Sequence, residues 1–299
     1  MYPAQFDYHR AESVSEALDL LAEFADEEAE LLAGGHSLLP TVKSGLATPD
    51  VLIDIGRISD LDGIEVGEES VTFGALTSYT DVAASEEAWT NCTSFAEAAR
   101  EIGDIQVRNA GTVGGNLAHN DPASDLPAAA LVSDATIRAE GPDGEREIGI
   151  DEFFLATYTT TLSEDEILTS VEVPSLGEGD AGAYVKKASP SSGYAMVGVA
   201  VRLHTDGASI EDARVAVNGA LTFAQRLEPV EEALSGESLD RDGLAADAAS
   251  HATDDLEDWD FMDDIQASAE FRAHLLSVYA ERAIDRALER VDEPVTAAP

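Results

Sequence analysis

The stretch AGGHSLLP at residues 33–40 follows the apolar run Leu31-Leu32-Ala33 and reads as a strand ending in a glycine turn. A second glycine pair stands in GTVGGN at 111–116. Glycine adopts positive φ without steric cost and carries no side chain, so successive backbone N–H groups can converge on an anion. Ser37 and Thr112 add a neutral hydroxyl beside each pair. Two such loops can cradle a pyrophosphate without any lysine or arginine. Taken singly, either pair is only a turn signal. Neither loop spells the G-x-G-x-x-G of a Rossmann turn. Lys43-Ser44 follow Val42 where a P-loop needs glycine. The surroundings set the first loop apart: residues 31–54 hold two acids, Asp50 and Asp54, in a chain with 60 acids among 299 residues.

Before this loop, Ser13-Val-Ser-Glu16 reads as a capping box opening a helix over 13–25, with Val14, Ala17, Leu18, Leu21 and Phe24 at helical spacing. After it, a turn or short helix broken by Pro40 leads to a strand at Val51–Ile55. The middle of the chain mixes its signals. Val71–Phe73 predicts a strand, Thr77 a cap on a short helix, and 94–101 a helix. Residues Gly103–Pro127 form a Gly/Asn/Asp/Pro-rich loop. Ala135–Ala139 and Arg146–Ile150 flank the turn sequence Gly141-Pro-Asp-Gly144, and Ile167–Val173 is a further strand before a linker at Pro174–Gly182. The last part offers strands at Ala183–Ala188, Ala195–Leu203 and Ala213–Val217, with a hairpin turn at Asp206-Gly207. Helices follow. The final one spans 268–290, with Ser268 as N-cap and Phe271, Leu275, Val278, Ala283, Ala287 and Leu288 as its apolar stripe. Residues 228–270 hold fifteen acids and one base, Arg241, and read as a solvated face or a mobile loop.

Composition narrows the function. The formal net charge is −43, which repels phosphate backbones and anionic headgroups, so nucleic acid and membrane surfaces are disfavoured as partners. The lysines are only Lys43, Lys186 and Lys187. Carboxylates spread along the whole chain, with lysine nearly absent, point to a salt-rich cytoplasm in a halophile, where screening removes much of the self-repulsion. Cys92 is the one cysteine, so no internal disulfide and no cysteine-held zinc or iron–sulfur centre is available. His9, His204, His251 and His274 show no metal spacing. There is neither a signal-peptide pattern nor an 18-residue apolar stretch, and the expected compartment is the cytoplasm.

AGGHSLLP at 33–40, TVGGN at 112–116 and AHNDPASDLPA at 118–128 together resemble the FAD-binding medium subunit of the molybdenum hydroxylases, the family of carbon monoxide dehydrogenase and bacterial xanthine dehydrogenase. DIQVRNAGTVGGN at 104–116, Glu166-Ile-Leu168 before a strand ending in Pro174, Tyr184-x-Lys186, Tyr194 in SGYA and the late run SAEFRAHL extend the resemblance over nearly the whole chain. It implies an α+β chain with a vanillyl-alcohol-oxidase (PCMH)-type FAD-binding fold. The parts would be an N-terminal α/β subdomain at 1–56, a middle subdomain at 57–177, and a C-terminal antiparallel sheet with helices at 178–299. It also implies an FAD site: Ala33, Gly34, Gly35, His36, Ser37 and Leu38 with Thr112, Gly114, Gly115 and Asn116 at the pyrophosphate, Asp125 in contact with the cofactor, Leu168 and Lys186 lining the site, and Tyr194 beside the isoalloxazine. His36 stands where many relatives have glutamine, and both can hydrogen-bond. His119 reads as a supporting residue, Tyr184 as core or cofactor wall, and Cys92 as a buried small residue.

By the same resemblance the chain is an electron-transfer subunit. A large molybdenum-cofactor subunit and a small 2Fe–2S subunit would be its partners, in a dimer of heterotrimers, and NAD or a quinone the acceptor. No residue of this chain needs to act as a catalytic acid or base, and no metal site is expected on it. Two other classes stay open: a stand-alone FAD-dependent oxidoreductase of the same fold, and a binding module that has lost FAD.

Overall fold

In a computed structural model, which describes residues 3–292 and 295, the first part of the chain is a three-stranded parallel sheet. Its elements are β1 (Asp7–Arg10), α1 (Val14–Glu23), β2 (Ala29–Leu32), α2 (Leu38–Ser44) and β3 (Val51–Asp54), with strand order β1-β3-β2. Parallel neighbours need crossovers; α1 joins β1 to β2 and α2 joins β2 to β3. The Ser13 hydroxyl caps α1 by accepting the Glu16 N–H at 3.1 Å. The expected box closes differently, because the Glu16 carboxylate accepts from Glu12 rather than Ser13. Ala17 and Leu21 seat α1 against Val51 and Ile53. Pro40 does not break α2. It occupies the first turn, where its missing N–H would have had no helical partner.

The middle part comprises β4 (Ile64–Val66), β5 (Ser70–Gly74), α3 (Tyr79–Ala84), α4 (Glu86–Asn91), α5 (Thr93–Glu101), α6 (Ile105–Arg108), α7 (Val113–His119), α8 (Leu126–Val132), β6 (Thr136–Gly141), β7 (Gly144–Gly149), β8 (Phe154–Ala156), β9 (Thr159–Thr160) and β10 (Ile167–Pro174). Five of its strands form an antiparallel sheet in the order β4-β5-β10-β6-β7. The Phe73 and Phe95 rings, 5.0 Å apart, pin α5 to it. Two expectations are corrected here. Gly103–Pro127 is not a loop but carries α6, α7 and the start of α8. Asp104 caps α6 through the Gln106 and Val107 N–H groups, and the Thr112 hydroxyl caps α7, so capping and packing override weak propensity. Ser78, not Thr77, caps α3; Thr77 is buried and exchanges two hydrogen bonds with Gly63.

The last part holds β11 (Asp180–Ala188), β12 (Ala195–Thr205), β13 (Ile210–Asn218), β14 (Gln225–Arg226), α9 (Glu228–Leu234), α10 (Leu244–Ala249) and α11 (Ala269–Asp292). Its antiparallel sheet runs β11-β12-β13-β14, backed by the three helices. The acid-rich 228–270 is therefore largely folded: Val230, Leu234, Leu244 and Ala248 enter the core. Of the expected stripe on α11, Leu275, Ala283 and Ala287 are buried, whereas Phe271 is exposed. The spacing G-x-G-x-x-G does occur once, at Gly177, Gly179 and Gly182, but it leads into a strand and no helix follows. Buried Glu97 on α5 ties the parts together, accepting from the Tyr184 N–H at 2.8 Å and from Arg290 at 2.7 and 2.9 Å. No helix among the described residues is long and apolar enough to cross a membrane.

Candidate functional site

The two glycine loops abut. A Cβ on Gly34 would drive into the Ala110 carbonyl oxygen and lie 2.9 Å from Gly111 Cα. A Cβ on Gly114 would lie 2.6 Å from Ala75 Cβ, and one on Gly115 would touch Ala33 Cβ at 3.7 Å. These glycines are set by proximity of backbones rather than by turn geometry; only Gly35, at φ +70°, uses the left-handed region.

The loops divide the work. Among the described residues, the backbone N–H groups of Gly34, Gly35, His36 and Ser37 engage no acceptor, and the Ser37 hydroxyl makes no cap bond to α2. The second loop differs. Its Val113 N–H goes to Thr77 O at 3.0 Å, Gly114 to Ala75 O at 2.8 Å, and Gly115 to the Thr112 hydroxyl at 3.2 Å. The uncommitted backbone donors thus lie in the first loop. The second provides a close floor for it.

Beside this junction His36, Ser37, Asn116, Asp125 and Tyr194 line one narrow cleft, together with Tyr79, a residue no sequence signal marked. Asn116 Nδ2 donates to the Tyr79 hydroxyl at 2.9 Å, while its Oδ1 is buried without a partner. Burial pushes the Tyr79 phenol well above its usual range. Leu38 and Leu168 do not line the cleft, and Leu168 packs in the core of the middle part.

Lys186 stands behind Asp125. Its ammonium donates to Asp125 Oδ2 at 3.0 Å, Glu101 O at 2.6 Å and Gly193 O at 3.0 Å, which engages all three donors. Tyr184 is fully buried, with its hydroxyl 2.5 Å from Asp125 Oδ1, so it is a core residue that braces Asp125 and does not itself line the cleft. Burial pushes the Asp125 carboxyl above the ordinary carboxylate range, while Lys186 and the Tyr184 hydroxyl pull it back. Lys186→Met leaves that carboxylate buried and unpaired, an expected loss of about 3–5 kcal/mol. The sign of its pH dependence follows. A raised folded-state pKa gives stability that is present below the unfolded carboxylate's range and lost as pH rises through the folded value. Urea midpoints of the variant should therefore fall from pH 5 to pH 8 more steeply than those of the parent.

Cys92 is buried, as expected, and its thiol is pushed up to about 12 by burial. A second concavity, of about 610 Å³, lies elsewhere, on the five-stranded sheet. It presents the carboxylates Asp60, Asp62, Glu65, Glu145 and Glu147 against Arg138 and Arg146, both of which are ion-paired with glutamates, and none of the glycine-loop residues, so its excess negative charge disfavours a pyrophosphate.

Comparison with known proteins places the chain among relatives of known family. Residues 4–176 match the family described as FAD binding domain in molybdopterin dehydrogenase, and residues 183–287 match the CO dehydrogenase flavoprotein C-terminal domain. The chain is 36% identical to the carbon monoxide dehydrogenase medium chain of Hydrogenophaga pseudoflava, covering 97% of this chain and 99% of that one. It is 36% identical to the glyceraldehyde dehydrogenase medium chain of Sulfolobus acidocaldarius, over 86% and 90% of the two chains. Among solved structures, carbon monoxide dehydrogenase from Hydrogenophaga pseudoflava superimposes with a TM-score of 0.92 at 37% identity, covering 97% of this chain and 99% of that one.

Proposed function

The chain belongs to the family of FAD-binding medium subunits of molybdopterin-dependent dehydrogenases, and from that premise we propose that it takes electrons from a partner's 2Fe–2S clusters and passes them to an external acceptor. FAD is the cofactor of this family, and the residues present fit it. The observation that carries the reading is the row of uncommitted N–H groups from Gly34 to Ser37, pressed against a second loop too close for any side chain. That row suits a pyrophosphate, and the unpartnered Asn116 Oδ1 is an acceptor awaiting a donor.

In this reading Gly34, Gly35, His36 and Ser37 hold the pyrophosphate, Thr112 keeps α7 in register, and Gly114 and Gly115 admit the cofactor's approach. Asp125 and Tyr194 face the ring system, and Lys186 acts from behind by fixing both Asp125 and the Gly193 carbonyl next to Tyr194. When bound, FAD supplies a ring that exchanges electrons singly or in pairs, and the protein sets its position and surroundings. The chain's one cysteine, Cys92, cannot ligate a cluster alone, so in this reading the iron–sulfur relay lies on a small partner subunit, and the resemblance to the family places substrate oxidation on a large molybdenum subunit. A dimer of such heterotrimers, working in a salt-rich cytoplasm, completes the proposal.

The test is purification in molar KCl with the partner chains coexpressed. The expected result is a yellow complex with one flavin per medium chain, reduced only when the partners' substrate is added. A colourless chain that takes up no added FAD sinks the proposal. Flavin reduction by a small substrate without partners would instead establish a stand-alone oxidoreductase.

A further inference from the structure

The run SAEFRAHL at 268–275 opens α11, and the FAD site as described above makes no use of it. The Ser268 hydroxyl accepts the Phe271 N–H at 3.3 Å and starts the helix. The next side chain, Arg272, turns inward and is 2% exposed. Its Nη1 donates to two carbonyls far away in the chain, Met196 O at 2.7 Å and Gly219 O. Its Nη2 donates to Asp264 Oδ2 at 2.8 Å, and the other oxygen of Asp264 is held by the Gln266 and Ala267 N–H groups. A guanidinium leaves water only when a counter-charge and well-placed acceptors compensate it. Its planar fork then fixes those acceptors relative to one another as well as to α11. Attachment of the helix does not require this. Leu276, Tyr279, Ala283, Ile284 and Ala287 already seat α11 in the core.

Both carbonyls adjoin the N–H groups that hold the cleft wall. β12 opens at Ala195-Met196 and β13 closes at Asn218, which leaves Gly219 beside Ala195. The two backbones touch: a Cβ on Gly219 would lie 2.6 Å from Ala195 O. From here the Gly219 N–H donates to Pro122 O at 2.7 Å, and the Ala195 N–H to Ala123 O at 3.4 Å. Ser124 and Asp125 follow those carbonyls directly and line the cleft. On the other strand Ser192, Gly193 and Tyr194 run directly into Ala195 and line it as well. Arg272 itself lies outside the lining. It thus reaches Asp125 through Gly219 and Pro122, and Tyr194 through Met196 and Ala195.

We propose that Arg272 is a positioning residue for FAD: from behind the site it fixes the segments 122–125 and 192–196, which present Asp125 and Tyr194 to the cofactor. The proposal rests on the FAD-binding reading above and adds to it a residue of the last helix. Without the guanidinium, Met196 O and Gly219 O lose a buried donor, and the contact between Gly219 and Ala195 is free to open. The cleft residues stay in place chemically but lose their fixed spacing, and a site held loosely binds its ligand less well.

The experiment titrates FAD into the flavin-stripped complex in molar KCl and records affinity, fluorescence of the bound flavin and thermal midpoint. Arg272→Met keeps the stem and removes every donor. It should bind FAD about tenfold more weakly, and the flavin that does bind should be brighter, because Tyr194 no longer holds its place against the ring. Leu234→Ala is the control, a core truncation on α9 outside this path. It should lower the midpoint as well, yet keep FAD affinity within about twofold of the parent and leave the fluorescence unchanged. Arg272→Lys keeps the charge opposite Asp264 without the fork, so it should fall between parent and Arg272→Met, and it decides the matter if Arg272→Met does not fold. Folded Arg272 variants with parental affinity and fluorescence overturn the proposal, as does a Leu234→Ala complex that loses as much FAD as Arg272→Met. If the parent complex takes up no FAD, the FAD-binding reading fails first and this one falls with it; if the parent binds and the Arg272 variants match it, only the positioning role is refuted.

Discussion

Gly34→Ala should purify with less than about a tenth of the parent's FAD, since overpacking at a backbone junction costs on the order of 1–3 kcal/mol or more and each 1.4 kcal/mol is tenfold in binding. The added methyl meets the Ala110 carbonyl and Gly111 Cα, which are backbone atoms and cannot swing aside like a side-chain end. Relief requires the first loop to lift from the second. That movement disperses the N–H groups of Gly34 through Ser37 whose convergence is the basis of anion binding. The backbone of Gly34 has no positive φ, so the effect is one of contact alone. Gly45→Ala is the control: Gly45 ends α2 at φ +79° with open space around it. It should cost about 1 kcal/mol of stability and leave the flavin content intact. Flavin-to-protein ratio and thermal midpoint, measured on both variants, separate loss of the site from loss of the fold. A Gly34→Ala protein with its full complement of FAD would show that the two loops do not act together.

What could be read from the chain followed the range of its interactions. The strands at Val51–Asp54, Ile167–Pro174 and Ala195–Thr205 are apolar runs bounded by turn residues, and the local code suffices for them. Residues 104–126 defeated composition because Gly, Asn, Asp and Pro are poor helix formers on average. Asp104 and Thr112 are strong at one position only, the N-cap. Counting acids failed in the same way over 228–270. Most of the fifteen carboxylates lie on the outer face, Glu231 being buried against Arg226, while the buried positions Val230, Leu234, Leu244 and Ala248 had the helical spacing that an average hides. Within the site, the glycine loops were visible as sequence, but their division into anion nest and close floor was not. The acceptors that engage the second loop, Ala75 O and Thr77 O, come from another segment. Tyr79 and two of the three oxygens around Lys186 are long-range for the same reason, Glu101 lying 85 and Asp125 61 residues from Lys186.

The folding midpoint should climb by about 10 °C or more between 0.1 and 2 M KCl, with most of the rise complete by about 1 M, where the screening length has shrunk from roughly 10 Å to 3 Å. Seventeen basic residues cannot neutralise 60 acidic ones, so the surplus repels itself wherever carboxylates crowd. On α11, Glu281, Asp285 and Glu289 follow one another at four-residue spacing, and Asp285 is pushed above its usual range by burial first and then by both neighbours. Glu30 is pushed up likewise, by burial and then by Glu28 and Glu164. Groups with raised folded-state values destabilise the fold as pH rises through them, so at low salt mild acidification should help. The gain is bounded. Asp180 and Asp264, held below the usual range by backbone N–H groups and by Arg202 and Arg272, contribute stability that is present above the unfolded carboxylate value and lost as pH falls through their own. At 0.1 M KCl the stability optimum should therefore lie on the acid side of neutrality, and molar salt should flatten it by removing the repulsion that acid relieves. Thermal melts across pH at both salt levels check this. Salt that acts by exclusion would keep raising the midpoint linearly beyond 1 M, with the pH profile unchanged; that pattern would refute screening as the cause.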